Sequence, residues 1–180
     1  MIICAGNNET FDFAQPMGVG LIDTAINLTR LCLFDKPEFL LFVGTAGSYG
    51  NHKIFDIIES KTASNIELGF LDGDAYTPID NVISTNTTNK KDIIVNSSNY
   101  ITTNKQKTSK FLNLNVSIEN MEFFSVLKVA QEFNIPAGGV FCITNYTNKD
   151  AHKDFLTNHT KAKELLTLHV EKRIKELTKK

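Results

Sequence analysis

Short apolar runs recur along the chain and are separated by segments with helical periodicity. The runs are rich in β-branched and aromatic residues, and several are apolar on both faces, as is typical of a sheet covered on both sides. A further segment alternates apolar and polar residues, which is typical of a strand with one solvated face. We predict the buried strands at residues 2–5, 39–43, 54–59, 92–95 and 139–143, and the alternating strand at residues 111–118.

Three segments are predicted to be helical. In residues 21–34, Ile22, Ala25, Ile26 and Leu33 fall on one side and predict a buried stripe, and the proline at position 37 ends the segment. A second helix has a stripe that runs from Val126 to a phenylalanine at position 133, and a third extends from about residue 153 to the end. Polar stretches at residues 84–91 and 102–110 are predicted to be loops.

Strands that alternate with helices predict an α/β fold. With 180 residues, of which 42% are hydrophobic, we expect residues 1–180 to form one three-layer domain with a mostly parallel or mixed central sheet. The net charge of −1 provides no overall field for nucleic acid or an anionic membrane, so neither partner is expected.

The first residues contain no basic segment followed by a long apolar stretch, and we therefore expect a cytoplasmic protein without a signal peptide or a membrane span. Cys4, Cys32 and Cys142 lie far apart in apolar segments, which favours reduced thiols in the core. The four histidines do not show the spacing of metal ligands, so no metal is expected.

Ligands of α/β sheets bind beyond the carboxyl ends of the strands, and four predicted loops lie there. The glycines of "PMGVG", including Gly20, either hold an anion at a helix N-terminus or form a tight turn. The third glycine and the acidic residue of a dinucleotide site are absent, so a nicotinamide cofactor is not expected. Small residues Thr45, Ala46 and Gly47 either admit a ligand close to the backbone or form a plain turn. The remaining two loops are "GNNETF" and "ITN".

Five stretches resemble, in order and rough spacing, motifs of the purine nucleoside phosphorylase and nucleosidase superfamily. They are "GVGLIDTAINL", "VGTAGSYGNHKIFDII", "VNSSNYIT", "NMEFFSVLKVAQEFNIP" and "GVFCITN". The resemblance spans nearly the whole chain. It implies a nucleoside-phosphorylase-like fold, cleavage of the N-glycosidic bond of a purine nucleoside, and a homo-oligomer. It implies no cofactor, with phosphate as a possible co-substrate in place of water.

The resemblance also assigns roles to individual residues. It makes Glu122 the ribose ligand, since a carboxylate accepts bonds from sugar hydroxyls and favours a developing cation. It places Met121 under the sugar, and Tyr100 and Ile101 against the base. Asn145 takes the position that bonds N7 of the leaving base, and the "TN" spelling resembles the branch that takes 6-oxopurines. From the residues alone, Glu122 is better explained as a carboxylate in the first turn of its helix. The corresponding alternatives are an ordinary core methionine for Met121, a loop anchor for Tyr100 and a loop cap for Asn145.

Departures from the family motifs leave the acceptor open. Phe42 and Phe141 occupy positions where the family commonly has arginine, and the chain contains only two arginines. Phosphate would depend on Thr45 and on backbone NH groups of the two glycine-rich segments, with a lysine or a neighbouring subunit as a further source of positive charge. Water would instead need a carboxylate, for which Glu9 is the candidate. The alternative function is a non-catalytic protein that binds purines or nucleosides with the same fold.

Overall fold

The computed structural model describes residues 1–86, 88 and 91–177, and within them a nine-stranded sheet is accompanied by five helices. The strands are β1 (Ile2–Cys4), β2 (Gln15–Pro16), β3 (Leu40–Ser48), β4 (Ile57–Ser60), β5 (Thr62–Ser64), β6 (Val82–Ser84), β7 (Ile94–Ser97), β8 (Val116–Asn120) and β9 (Ala137–Tyr146). The helices are α1 (Leu21–Asp35), α2 (Leu68–Asp72), α3 (Lys105–Asn113), α4 (Phe123–Glu132) and α5 (Ala151–Leu177).

Strand β3 is the centre of the sheet and has three neighbours. It runs parallel to β9 along its whole length. On its other side it pairs with parallel β1 at residues 41–42 and with antiparallel β8 at residues 47–48. The pairs β4–β9 and β5–β6 are also antiparallel, so the sheet is mixed. The predicted α/β class, with a mixed central sheet in one domain, is confirmed.

Helices cover both faces of the sheet. On one face α1 and α4 pack over a core that contains Phe42, Phe123, Val126 and Leu127. On the other face Ala162, Leu166 and Val170 of α5 pack against β3 and β9. Burial of these aliphatic and aromatic side chains on both faces supplies the main stabilisation of the three layers.

The stripe predicted for α1 is wrong, although the bounds of the helix agree with the prediction. The side chains of Ile22, Ile26 and Leu33 are 66%, 54% and 55% exposed. The buried residues are instead Thr24, Leu28, Leu31 and Cys32, which face α4. A buried threonine is tolerated because the Thr24 hydroxyl donates to the Gly18 carbonyl at 2.9 Å.

The prediction for residues 102–118 is also wrong in part. Residues 105–113, assigned to a loop and to the start of a strand, form α3, which is capped by the Asn104 side chain. Asn115 then adopts a positive φ of 61°, and β8 begins only at Val116. Helix α3 buries Phe111, which stacks on Tyr49 with ring centroids 4.3 Å apart.

Smaller differences concern the ends of elements. β4 begins three residues after its predicted start at residue 54, and β7 begins two residues after its predicted start at residue 92. β3 and β9 extend beyond their predicted ends. Residues 85–86, 88 and 91 have no regular structure, while 87, 89 and 90 of that predicted loop lie outside the described residues. So do the last three residues of the third predicted helix.

All three cysteines are buried free thiols, as predicted. Over the described ranges, no helix combines the length and apolar character needed to cross a bilayer.

Candidate active site

A cavity of about 300 Å³ opens where β3, β8 and β9 end. Every predicted site residue except Gly20 lines it. The lining includes Glu9, Thr45, Ala46, Gly47, Tyr100, Ile101, Met121, Glu122 and Asn145. The structure thus brings together residues from separate parts of the chain, and Gly20 reaches the same site through a bond to Glu122.

The floor of the cavity is strand and not loop, which corrects the prediction for "GTAGSYG" and "ITN". β3 continues through Ser48, and Asn145 lies within β9, directly opposite Gly47. A Cβ atom on Gly47 would lie 2.9 Å from Nδ2 of Asn145. A side chain at position 47 would therefore displace the Asn145 amide, which crosses over the Gly47 backbone.

Glu122 precedes α4, whose first residue is Phe123, so the predicted position in the first turn is off by one. Its Oε1 accepts the Gly20 N–H at 2.9 Å, and its Oε2 accepts the Met121 N–H at 3.1 Å. Gly20 caps the N-terminus of α1, so the carboxylate fills the anion position of that helix. Burial raises the pKa of Glu122 to about 7, and the charge of Glu9 adds to the increase.

Glu9 is presented by the turn after β1, in which Gly6 and Glu9 exchange backbone hydrogen bonds. Its carboxylate accepts the Thr45 N–H at 3.2 Å and also accepts the Thr45 hydroxyl. Desolvation raises the pKa of Glu9, and these bonds from Thr45 offset only part of the rise. Three carboxylates whose pKa values are raised by burial, those of Glu9, Glu119 and Glu122, therefore share one cavity, as is common at sites of acid–base chemistry.

The amide of Asn145 has a defined orientation. Its Oδ1 accepts the Thr144 hydroxyl at 2.9 Å, and its Nδ2 donates to the Tyr146 carbonyl at 3.3 Å. An amide nitrogen carries two hydrogens, so one donor remains for a ligand. Asn145 therefore presents a hydrogen-bond donor to the cavity.

Tyr100 and Ile101 lie at the mouth of the cavity and are 75% and 50% exposed. Their loop is fixed at both ends, because Asn99 Oδ1 accepts the Leu21 N–H and Glu119 Oε1 accepts the Thr102 N–H, each at 2.9 Å. An exposed ring on an anchored loop is available to stack on a planar ligand.

Phe42 and Phe141 are completely buried beneath the site, together with Phe123. The ring centroids of Phe42 and Phe141 are 5.8 Å apart, and those of Phe123 and Phe141 are 5.0 Å apart. Among the described residues that line the cavity there is no lysine or arginine. The two positions at which the motif resemblance implies arginine are thus part of an aromatic core in this chain.

Sequence reasoning missed two contributions to the cavity. Glu119, on β8, is 7% exposed and contacts the cavity from the side opposite Asn145. His152 and Phe155, from the first turns of α5, form another wall. The sequence contains no clear signal for Glu119, because it directly follows the alternating strand predicted at residues 111–118. His152 and Phe155 reach the cavity only because of the turn that joins β9 to α5.

The second half of the chain matches a known family. The model of the phosphorylase superfamily matches residues 91–175, which contain Tyr100, Glu122 and Asn145. No curated protein sequence matches the chain.

Solved structures match the fold closely at low sequence identity. A Helicobacter pylori nucleosidase (MTAN) with 5′-methylthioadenosine in its active site has a TM-score of 0.78 and 18% identity, with 91% of this chain and 79% of that chain covered. Futalosine hydrolase from the same organism has a TM-score of 0.78 and 18% identity, with 91% and 78% covered. A Streptococcus pneumoniae 5′-methylthioadenosine/S-adenosylhomocysteine nucleosidase has a TM-score of 0.75 and 12% identity, with 93% and 94% covered.

The resemblance found in the sequence motifs is therefore confirmed. Residues 91–175 carry the sequence signature of the phosphorylase superfamily, and the chain as a whole has the fold of its nucleosidase members.

Proposed function

We propose that this protein hydrolyses the N-glycosidic bond of a purine nucleoside, with 6-oxopurine nucleosides preferred. One observation carries the choice of water over phosphate. Donors that could bind phosphate already bind carboxylates of the protein. Thr45 donates to Glu9, and the Gly20 N–H donates to Glu122.

An incoming phosphate would face two carboxylates and would have to displace at least one of them. Bringing like charges together in a partly desolvated cavity is unfavourable. The described lining contains no lysine or arginine. Arg30 is exposed on α1 and Arg173 pairs with Glu59. The nearby charge of Lys163 already acts on Glu9 and opposes the rise in its pKa. A neutral water molecule meets neither obstacle.

In the proposed reaction a water molecule attacks C1′ of the sugar as the bond from C1′ to N9 breaks. Glu9 accepts the proton of this water, and the bonding electron pair leaves with the base. Glu122 accepts hydrogen bonds from the ribose hydroxyls, and its charge stabilises the oxocarbenium-like transition state. Both carboxylates must be ionised for this chemistry.

Asn145 supports departure of the base by donating an N–H to N7. An amide cannot transfer a proton to the base, so the base develops negative charge as it leaves. A 6-oxopurine accommodates that charge better than adenine because its carbonyl oxygen shares it. This difference favours inosine and guanosine over adenosine as substrates.

The proposed chemistry uses only protein groups, water and the nucleoside, and it needs no cofactor. We further propose that the protein is a homo-oligomer in which the exposed face of α1 packs on another copy. Ile22, Ile26 and Leu33 form an aliphatic stripe on that face. The Leu21 N–H bonds Asn99, so the stripe adjoins the loop at the mouth of the cavity.

Release of free base from inosine, guanosine and adenosine tests the proposal. The purified protein is assayed in phosphate-free buffer and again with added phosphate, and the base is quantified chromatographically. We expect equal release under the two conditions. Strict dependence on phosphate would refute hydrolysis, and binding without release would support the non-catalytic alternative.

A further inference from the structure

Glu119 is a buried carboxylate that the proposed mechanism does not use. It lies on β8, in the centre of the domain, and its side chain contacts the cavity. Burial of a charged group is costly unless hydrogen bonds or a partner compensate for it. A buried carboxylate that lines a cavity is a candidate functional group.

The sheet register places Glu119 beside the base end of the cavity. Gly47 on β3 pairs with Glu119 on one side and with Asn145 on the other. A Cβ atom on Gly47 would lie 2.9 Å from Asn145 Nδ2 and 3.5 Å from Glu119 Cγ. The carboxylate and the amide therefore lie on the same face of the sheet, with only a glycine between them.

The hydrogen bonds of Glu119 define it as an acceptor. Oε1 accepts the Thr102 N–H at 2.9 Å, and Oε2 accepts the Tyr49 hydroxyl at 2.7 Å. Burial raises the pKa of Glu119, and the hydrogen bonds from Thr102 and Tyr49 oppose that rise by favouring the ionised form. An ionised carboxylate has about four acceptor sites, so it can accept a further bond from a ligand. Across Gly47, Asn145 presents a donor. The floor of the cavity thus offers one acceptor and one donor side by side.

We propose that Glu119 is a specificity-determining residue that accepts the N1–H of a 6-oxopurine. This inference rests on the proposed function and extends it to the pyrimidine edge of the base. A 6-oxopurine presents acceptors at N7 and O6 and a donor at N1, which complements Asn145 and Glu119 together. Adenine presents a lone pair at N1, which would face the lone pairs of the carboxylate.

We expect Glu119 and Asn145 together to discriminate strongly between 6-oxopurine nucleosides and adenosine. A site built to bond a particular polar group rejects analogues that lack it, because its own buried group is then left unpaired. We expect kcat/KM for inosine to exceed that for adenosine by at least about 100-fold, below the upper range found for such sites.

The decisive variant is Glu119→Gln. Glutamine has the same length, can still accept from Thr102, and adds an N–H that suits N1 of adenine. We expect the inosine-to-adenosine ratio of kcat/KM to fall at least tenfold, with adenosine cleavage retained or increased. Glu132→Gln is the matched control, because Glu132 is exposed on α4 and does not line the cavity. It should leave the ratio unchanged.

An equal loss for both substrates in Glu119→Gln would overturn the proposal, since it would show that Glu119 only holds the loop of Thr102. Calorimetric binding of free hypoxanthine and free adenine to the wild-type protein provides a second test that needs no variant. We expect hypoxanthine to bind at least tenfold more tightly, and equal affinities would also overturn the proposal. This binding test remains valid even if no nucleoside is cleaved, so the two proposals fail separately.

Discussion

Replacing Glu122 by glutamine removes the charge at the sugar end of the cavity and preserves the shape of the side chain. For a charge about 4 Å from the developing cation and an effective dielectric constant of about 20, the lost attraction is about 4 kcal/mol. A loss of that size in the transition state corresponds to a fall in kcat of about 1,000-fold. The amide oxygen of the introduced glutamine can still accept the Gly20 N–H, whereas its NH2 group cannot accept the Met121 N–H, so we expect some loss of stability but a folded protein.

The assay is steady-state release of base from inosine by Glu122→Gln at pH 8, where the wild-type carboxylate is ionised. Glu132→Gln is again the control for loss of a carboxylate remote from the cavity, and thermal melting verifies that both variants are folded. A kcat within tenfold of wild type would refute the assignment, because a carboxylate that faces the transition state cannot be removed at so small a cost.

Four further results are expected. Burial raises the folded-state pKa of Glu122 to about 7, so the folded protein binds more protons than the unfolded chain between pH 4.5 and 7. The free energy of unfolding therefore falls by up to about 3 kcal/mol as the pH rises through that window. Urea titrations at several pH values should show this fall in the wild type and not in Glu122→Gln. Gly47→Ala should displace the amide of Asn145 and lower kcat/KM by about 100-fold with a nearly unchanged melting temperature. Phe42→Ala should reduce the free energy of unfolding, measured in urea, by about 3–5 kcal/mol, because the ring is completely buried. Ile26→Lys should convert the oligomer to folded monomers in sedimentation velocity, and an unchanged mass would exclude this face as the interface.

Three buried strands could be predicted from the sequence for one physical reason, whereas the short buried strand β5 was missed. A sheet covered on both faces needs continuous apolar runs, and β1, β3 and β9 retain that signature. Ordered motifs then located most of the cavity, although the ends of β3 and β9 were placed too early. The small residues and hydroxyls that follow Val43 resemble a loop, yet they pair with β9 and so extend the strand.

Two other features could not be obtained from local patterns. Helix α1 is apolar around much of its circumference, so its spacing does not decide which side packs on α4. The alternation in residues 111–118 is typical of a strand, yet the structure is helical up to Asn113. In that helix Phe111 stacks on Tyr49, a long-range contact that the local pattern does not show. The proposed role of Glu119 depends on the pairing of β8 with β3, which places it opposite Gly47. That pairing is visible only in the tertiary structure.

The most direct test of the central claim is the identity of the sugar product. The protein is incubated with inosine in phosphate buffer, and the products are analysed by mass spectrometry. Hydrolysis assisted by Glu9 predicts free ribose and hypoxanthine in equal amounts, with no ribose 1-phosphate. Formation of ribose 1-phosphate in step with hypoxanthine would contradict the account, because it would show that phosphate reaches a cavity whose available donors already bind Glu9 and Glu122.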